Sequence, residues 1–395
     1  MAFFRGPAQW VGPLIVSSPT DPDAPMADAA TPLQRTPFHA QHLAAGAKMV
    51  PFAGFEMPIQ YPTGITAEHH AVRTGCGMFD VSHMGEFIIK GAQAIAFVTY
   101  VTSNDVAALG TGQVHYSGIL TEQGTFVDDC LVYRYADDFL MMVVNGSNKD
   151  KDLAHISRYL GGFDCTLTDV SDAIGLLAVQ GPKAQAILQA LTPAALDEIK
   201  YYWFTETTVA GVPMTLSRTG YTGEDGFELY HDVAHSARLW EALMATGQIT
   251  PTALGCRDSL RLEMGMALYG NDIDDTITPL EAGLGWLVKM KKGDFVGRAA
   301  LEAQKAAGVS RKLVGFTFTE KAIPRHGYPV FVDGAPSGMV MSGVMSPSVG
   351  CGLGTAYVPT AHAAPGKTLE VEIRGKRVVG TITTFPFWTQ GTVKR

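Results

Sequence analysis

From Thr31 onward, apolar and polar positions fall into short, punctuated runs. GEFIIKG (85–91), HYSGILTEQGTFVDDCLVYRY (115–135) and DFLMMVVN (138–145) alternate or run apolar over strand lengths, with Gly, Asn and Asp-Asp between them. This pattern predicts antiparallel strands joined by hairpins. Residues 36–46 (TPFHAQHLAAG) predict a short helix, with Thr36 as N-cap, Pro37 at the first position and Gly46 closing it. Further helical spacing occurs at 146–160, 181–191, 234–246 and 254–265. Helices and strands do not alternate one for one, so the expected class is α+β rather than a doubly wound parallel sheet.

The character changes near residue 300. AALEAQKAAG is a helix ended by Gly308, followed by KLVGFTF, YPVFVDG, MVMSGVMS, GLGTAYVP, TLEVEIRG and RVVGTITTFPF. Short strands with Gly, Pro and Asp turns between them predict an all-β barrel or sandwich. The expected organisation is an N-terminal extension over 1–30, an α+β region over 31–308 and a β-domain over 309–395. The extension carries an apolar patch broken by Gly and Pro and then SSPTDPDAP, a linker-like stretch. It lacks the longer apolar core of a signal peptide and the arginines of a mitochondrial presequence.

Composition narrows the function classes. The chain has 395 residues, 46% hydrophobic and 17% charged, which suits a folded protein of two or three domains. A net charge of −8 argues against a bulk electrostatic grip on nucleic acid or an anionic membrane surface. No apolar run approaches the roughly 18 residues of a membrane span. The five cysteines (76, 130, 165, 256, 351) form no CxxC pair, so buried thiols in a reducing compartment are expected. His39/His42 and His69/His70 lack metal-binding context, and GCGLGTA (350–356) lacks GxGxxG spacing.

Four stretches carry candidate chemistry. SRTGYTGEDGFELY (217–230) is either a hairpin turn or a pocket wall in which Tyr221 offers a π face and Glu228 a carboxylate for the N–H groups of a flat heterocycle. GCRDSLRLEMGMALYGND (255–272) is either an amphipathic helix with a solvated charged face or a platform aiming an arginine at a carboxylate. Its expected core stripe is Leu260, Met264 and Leu268. Asp105 in VTSNDV has the setting of an Asx turn, and Asp128-Asp129 reads as hairpin chemistry.

These stretches and their neighbours resemble, in order, the aminomethyltransferase (T-protein) family of the glycine cleavage system. The resemblance rests on KMVPFAGFEMPIQY (48–61), MFDVSHMGE (78–86), NDV (104–106), GTFVDDCLVYR (124–134), AVQGPKA (178–184) and the two motifs above. It continues through TPLEAGLGWLVK (278–289), RKLVGF (311–316) and GYPV (327–330).

The resemblance implies a three-lobed fold with two interleaved α+β subdomains and a C-terminal barrel around a folate cavity. It implies transfer of a methylene carbon from the aminomethyl-dihydrolipoyl arm of an H-protein to tetrahydrofolate, with release of ammonia and no role for metal or PLP. The implied partners are H-protein and tetrahydrofolate, not nucleic acid or membrane, and the implied location is bacterial cytoplasm over mitochondrial matrix.

By the same resemblance Asp105 is the catalytic residue, and Met57, Asn104, Tyr221, Glu228 and Arg257 face the folate. The alternatives are a folate-dependent demethylase of a small molecule, and a non-catalytic iron–sulfur maintenance module. The latter carries a KGCYxGQE segment, whereas this chain has KGDFVGRA (292–299), with Asp294 at the cysteine position.

Overall fold

A computed structural model describes residues 32–393; the extension expected over 1–30 lies outside them. Three sheets and a small hairpin organise the described residues. A six-stranded sheet has the order 204–209, 212–217, 226–232, 174–180, 77–80, 250–251, antiparallel except for the last pair. A five-stranded antiparallel sheet has the order 114–120, 126–136, 139–144, 85–90, 166–169. Strand Gly77–Asp80 joins the first sheet and Gly85–Lys90 the second, so the chain crosses between sheets within a few residues.

The two sheets face each other across a shared core. Phe79, Leu176 and Tyr230 from one meet Ile88, Tyr133 and Met141 from the other. Their outer faces are covered by helices. Ala184–Gln189 and Ser236–Met244 pack on the six-stranded sheet, and Ala94–Val101 on the five-stranded one. Strand Ile174–Gln180 is buried at every position because helices cover one face and the opposing sheet the other.

The six C-terminal segments close into an antiparallel barrel running from Arg311 to Thr383. Its interior is aliphatic and aromatic, with Phe316, Val330, Val358 and Val371 without exposed surface. Closure removes the free edges that an open sheet of this length leaves.

Several local expectations shift. The first helix spans His39–Ala44, and its N-cap is Phe38 rather than Thr36. The Thr36 carbonyl instead accepts the His39 N–H at 3.1 Å, so a turn precedes the helix. Leu260 joins the core, but helix Leu254–Glu263 ends before Met264 and Leu268, which line a cavity instead of extending the stripe. The charged residues of that helix are not a solvated face, since Arg261 and Glu263 are fully buried. All five cysteines are free, and three of them are buried.

Buried charge ties these units together. Arg73, on helix Ile65–Thr74, donates to Glu263 Oε2 at 2.6 Å, to Glu224 Oε1 at 2.8 Å and to the Thr222 carbonyl at 2.6 Å. Glu263 also accepts from the barrel, through Ser346 Oγ at 2.5 Å and Ser348 N at 3.0 Å. Burial alone would raise Glu263, but the hydrogen bond and charge of His69 and the Arg73 charge hold it down to about 2. The C-terminal tail closes the cluster, with Trp388 N donating to the Glu263 carbonyl at 3.0 Å and the Arg73 guanidinium 5.6 Å from the Trp388 ring.

Removing one partner of such a pair leaves buried charge uncompensated, so Arg73→Met should cost about 3–5 kcal/mol of unfolding free energy. Equilibrium denaturation checks this; a loss within the surface-substitution range of about 0.5 kcal/mol would contradict it.

Candidate active site

Between the two facing sheets lies a cavity of about 640 Å³. Segment 264–269 with Leu284 and Trp286 forms a further wall, and no barrel residue contributes to the lining. Apolar walls (Phe79, Val81, Leu176, Ala178) surround a few polar groups, as in small-molecule sites generally.

Strand alternation aims Glu228. On Gly226–Asp232, Phe227 and Leu229 face the helix-covered core, so Glu228 and Tyr230 face the opposite way, into the cavity. Both hydrogen bonds to Glu228 end on Oε2, from Thr219 Oγ1 at 2.5 Å and Tyr230 OH at 3.3 Å. Oε1 is left for a ligand. Burial raises the Glu228 carboxyl above its ordinary value, while the two hydroxyls and the Arg257 charge oppose that rise.

Arg257 is placed by helix Leu254–Glu263 with its guanidinium 4.7 Å from the centre of the Tyr221 ring. Among the described residues, no hydrogen bond or ion pair holds its guanidinium. Burial lowers its pKa, which is the mark of an arginine short of partners. Tyr221 is itself fixed, its hydroxyl donating to the Ala267 carbonyl. The loop that carries it is pinned by Arg218, bidentate to Asp225 at 2.8 and 2.6 Å. Gly223 has φ +80°, and a Cβ there would come within 2.3 Å of the Met264 sulfur. A side chain at 223 would therefore push out the cavity wall.

Asn104 lines the cavity, but its amide is already engaged. Nδ2 donates to the Tyr116 carbonyl and Oδ1 accepts the Asp105 N–H, at 2.9 and 2.8 Å. Asp105 is half-buried, next to the lining rather than part of it, and caps the short 3-10 turn Val106–Ala108 by accepting from Ala107 N at 3.1 Å. Met57 is fully buried in strand Phe55–Gln60 and does not line the cavity. The structure thus brings Tyr221, Glu228, Arg257 and Asn104 to one cavity, sets Asp105 beside it and leaves Met57 out.

One polar group escaped the sequence reading. Asp128-Asp129 sits in the middle of strand Phe126–Ala136, not in a hairpin turn. Successive residues point to opposite faces, so Asp128 turns toward Asn148 while Asp129 lines the cavity, and the Asn145 amide reaches both. Asp129 accepts from Tyr116 OH at 2.8 Å and from Asn145 Nδ2 at 2.9 Å. Burial and the neighbouring Asp128 charge push it up to about 7. Two acids amid apolar strand residues were the available signal.

A carboxyl whose folded pKa exceeds its unfolded one holds a proton that the unfolded chain has lost. Its effect on stability therefore turns unfavourable as pH rises from about 4 to about 7. Asp129→Asn should raise the thermal midpoint relative to the parent at pH 8 and change it little at pH 4. A lower midpoint at both pH values would contradict this.

Among the described residues no group of three or more His, Cys, Asp or Glu is arranged to hold a metal ion, and no helix is long and apolar enough to cross a membrane.

Comparison with known proteins adds to this geometry. The family model described as "GCVT N-terminal domain" matches residues 38–292, and that of the "Glycine cleavage T-protein C-terminal barrel domain" matches 311–388. The chain is 46% identical over 361 residues to an aminomethyltransferase of Desulfitobacterium hafniense, covering 91% of this chain and 99% of that one. It is also 46% identical over 363 residues to an aminomethyltransferase of Thermosipho melanesiensis, covering 92% and 99%. The crystal structure of glycine cleavage system aminomethyltransferase T from Bartonella henselae superposes with a TM-score of 0.87 at 35% identity, covering 92% of this chain and all of that one. These likenesses do not favour the small-molecule demethylase alternative.

Proposed function

The chain belongs to the aminomethyltransferase family of glycine cleavage T-proteins, and on that premise we propose that its inter-sheet cavity is where tetrahydrofolate receives the one-carbon unit. The enzyme is a folate-dependent aminomethyltransferase of the glycine cleavage system. The observation that carries the placement is the convergence of Glu228, Arg257 and Tyr221, each with unused binding capacity, on one apolar cavity.

A pterin presents adjacent N–H donors on one edge, and the carboxylate of Glu228 can accept them side by side. Tyr221 supplies an aromatic face. Arg257 places a positive charge where it supports the ionised form of Glu228 and can bind a carbonyl or carboxylate of the ligand. Asn104 is assigned a supporting role, holding the Asp105 amide rather than the folate itself. Met57 is not assigned to the site.

The donor is the aminomethyl group on the dihydrolipoyl arm of H-protein. A folate nitrogen attacks the methylene carbon, the carbon–nitrogen bond to the amine breaks and ammonia leaves. The carbon–sulfur bond of the resulting N–CH2–S unit then breaks, leaving a cationic methylene iminium on the folate, and the second folate nitrogen closes on its carbon. The two N–H hydrogens lost by the folate end on ammonia and on the released thiol. Asp105 is the group that takes and passes on these protons and faces the cationic iminium before the ring closes.

Trp286, at the cavity wall and largely exposed, reports on occupancy. Saturating tetrahydrofolate should quench its emission, and Trp286→Phe should remove that component while the ligand still binds. Saturable binding that leaves Trp286 emission unchanged would place the folate elsewhere.

A further inference from the structure

Resting on the reading of Asp105 as the catalytic carboxylate, we propose that Lys292 is its positioning residue, fixing the Asn104–Asp105 turn and balancing the carboxylate's charge without occupying it. The Lys292 ammonium donates to the carbonyls of Thr99, Thr102 and Asn104. An ammonium has three N–H groups, and here all three end on backbone oxygens.

Those oxygens belong to the end of helix Ala94–Val101 and the turn after it. The last carbonyls of a helix have no partners within it and carry the negative end of its dipole, so a cation is the natural partner. Neighbouring residues continue the clasp. Lys289 N donates to the Ser103 carbonyl and Val296 N to that of Tyr100, both at 3.0 Å. Segment 289–296 thus engages five carbonyls between Thr99 and Asn104. Gly293, at φ +105°, provides the reversal that lets the segment wrap around them.

The charge balance points the same way. Burial pulls the Lys292 ammonium down to about 7, and the negative charge of Asp105 opposes that fall. Lys292 nevertheless makes no hydrogen bond to that carboxylate. Among the described residues, Asp105 Oδ1 accepts only from Ala107 N, which leaves lone pairs for a reacting nitrogen. A direct lysine–aspartate bond would have occupied them.

The test is a double-mutant cycle on the full-length chain, read as the single-turnover rate with aminomethyl-loaded H-protein and saturating tetrahydrofolate. Lys292→Met alone should lower the rate roughly 10- to 100-fold with folate Kd within about 2-fold. Added to Asp105→Asn, it should lower the rate less than about 2-fold further, because there is no carboxylate left to position.

Effects that multiply, or a Lys292→Met variant that loses thermal stability while keeping its rate, would overturn the proposal. If Lys292→Met does not fold, the same cycle with Lys292→Gln, which keeps amide donors and removes the charge, decides it by the same criteria. An Asp105→Asn variant with full activity would instead remove the Asp105 reading itself.

Discussion

Asp105→Ala should lower turnover by about 10²-fold or more while leaving tetrahydrofolate affinity close to that of the parent. The carboxylate stands beside the cavity lining, so its removal takes away little binding surface. What it removes is the acceptor for protons that must leave folate nitrogens, and the negative charge facing the iminium. Both effects belong to the transition state, so they lower kcat rather than raise KM. The loss of the Ala107 N–H acceptor is a local matter on a half-exposed turn, typically worth about 1 kcal/mol of stability. A variant with weakened folate binding and unchanged turnover per bound complex would make Asp105 a structural cap only.

Glu228→Ala should produce the opposite split. Its free Oε1 lies in a buried cavity, and the groups acting on the carboxylate are the Thr219 and Tyr230 hydroxyls and the Arg257 charge. Hydrogen bonds to a charged group contribute about 1.5–3 kcal/mol, so folate Kd should rise roughly 10- to 100-fold. Once folate saturates, the rate should recover most of its parent value. Glu228→Gln should fall between the two, since it keeps one acceptor oxygen and presents an N–H to a donor edge. Equilibrium titration followed by single-turnover kinetics separates the two contributions. An unchanged Kd in Glu228→Ala would remove the carboxylate from the binding role.

Much of this organisation was legible locally. All six barrel strands could be read because each is strand-length and punctuated by Gly, Pro or Asp. Helix Ala94–Val101 could not, because AIAFVTYV is apolar but for Thr99 and periodicity does not separate a buried helix from a buried strand. Helix Ile65–Thr74 was hidden for a different reason. It buries Glu68, His69 and Arg73, so no apolar stripe marks its inner face.

The site divides along the same line. Tyr221, Glu228 and Arg257 stood out within dense motifs, but their convergence depends on contacts distant in sequence. Glu228 lies opposite Ala178 in the sheet, and Arg257 stacks on a ring 36 positions earlier in the chain. Arg261 and Glu263 have the spacing of a solvated face. Their partners Arg73, Asp272 and the pair Ser342 and Ser346 come from three other segments, which the tertiary fold brings together. Asp129 was missed because a pair of aspartates resembles turn chemistry more readily than a strand presenting one acid to each face.

Single-turnover ammonia release, with this enzyme and aminomethyl-loaded H-protein in the presence and absence of tetrahydrofolate, is the most direct test. The expected result is ammonia and methylene-tetrahydrofolate formed in equal amounts, dependent on tetrahydrofolate. No release with a verified H-protein partner, or release at the same rate without folate, would contradict it.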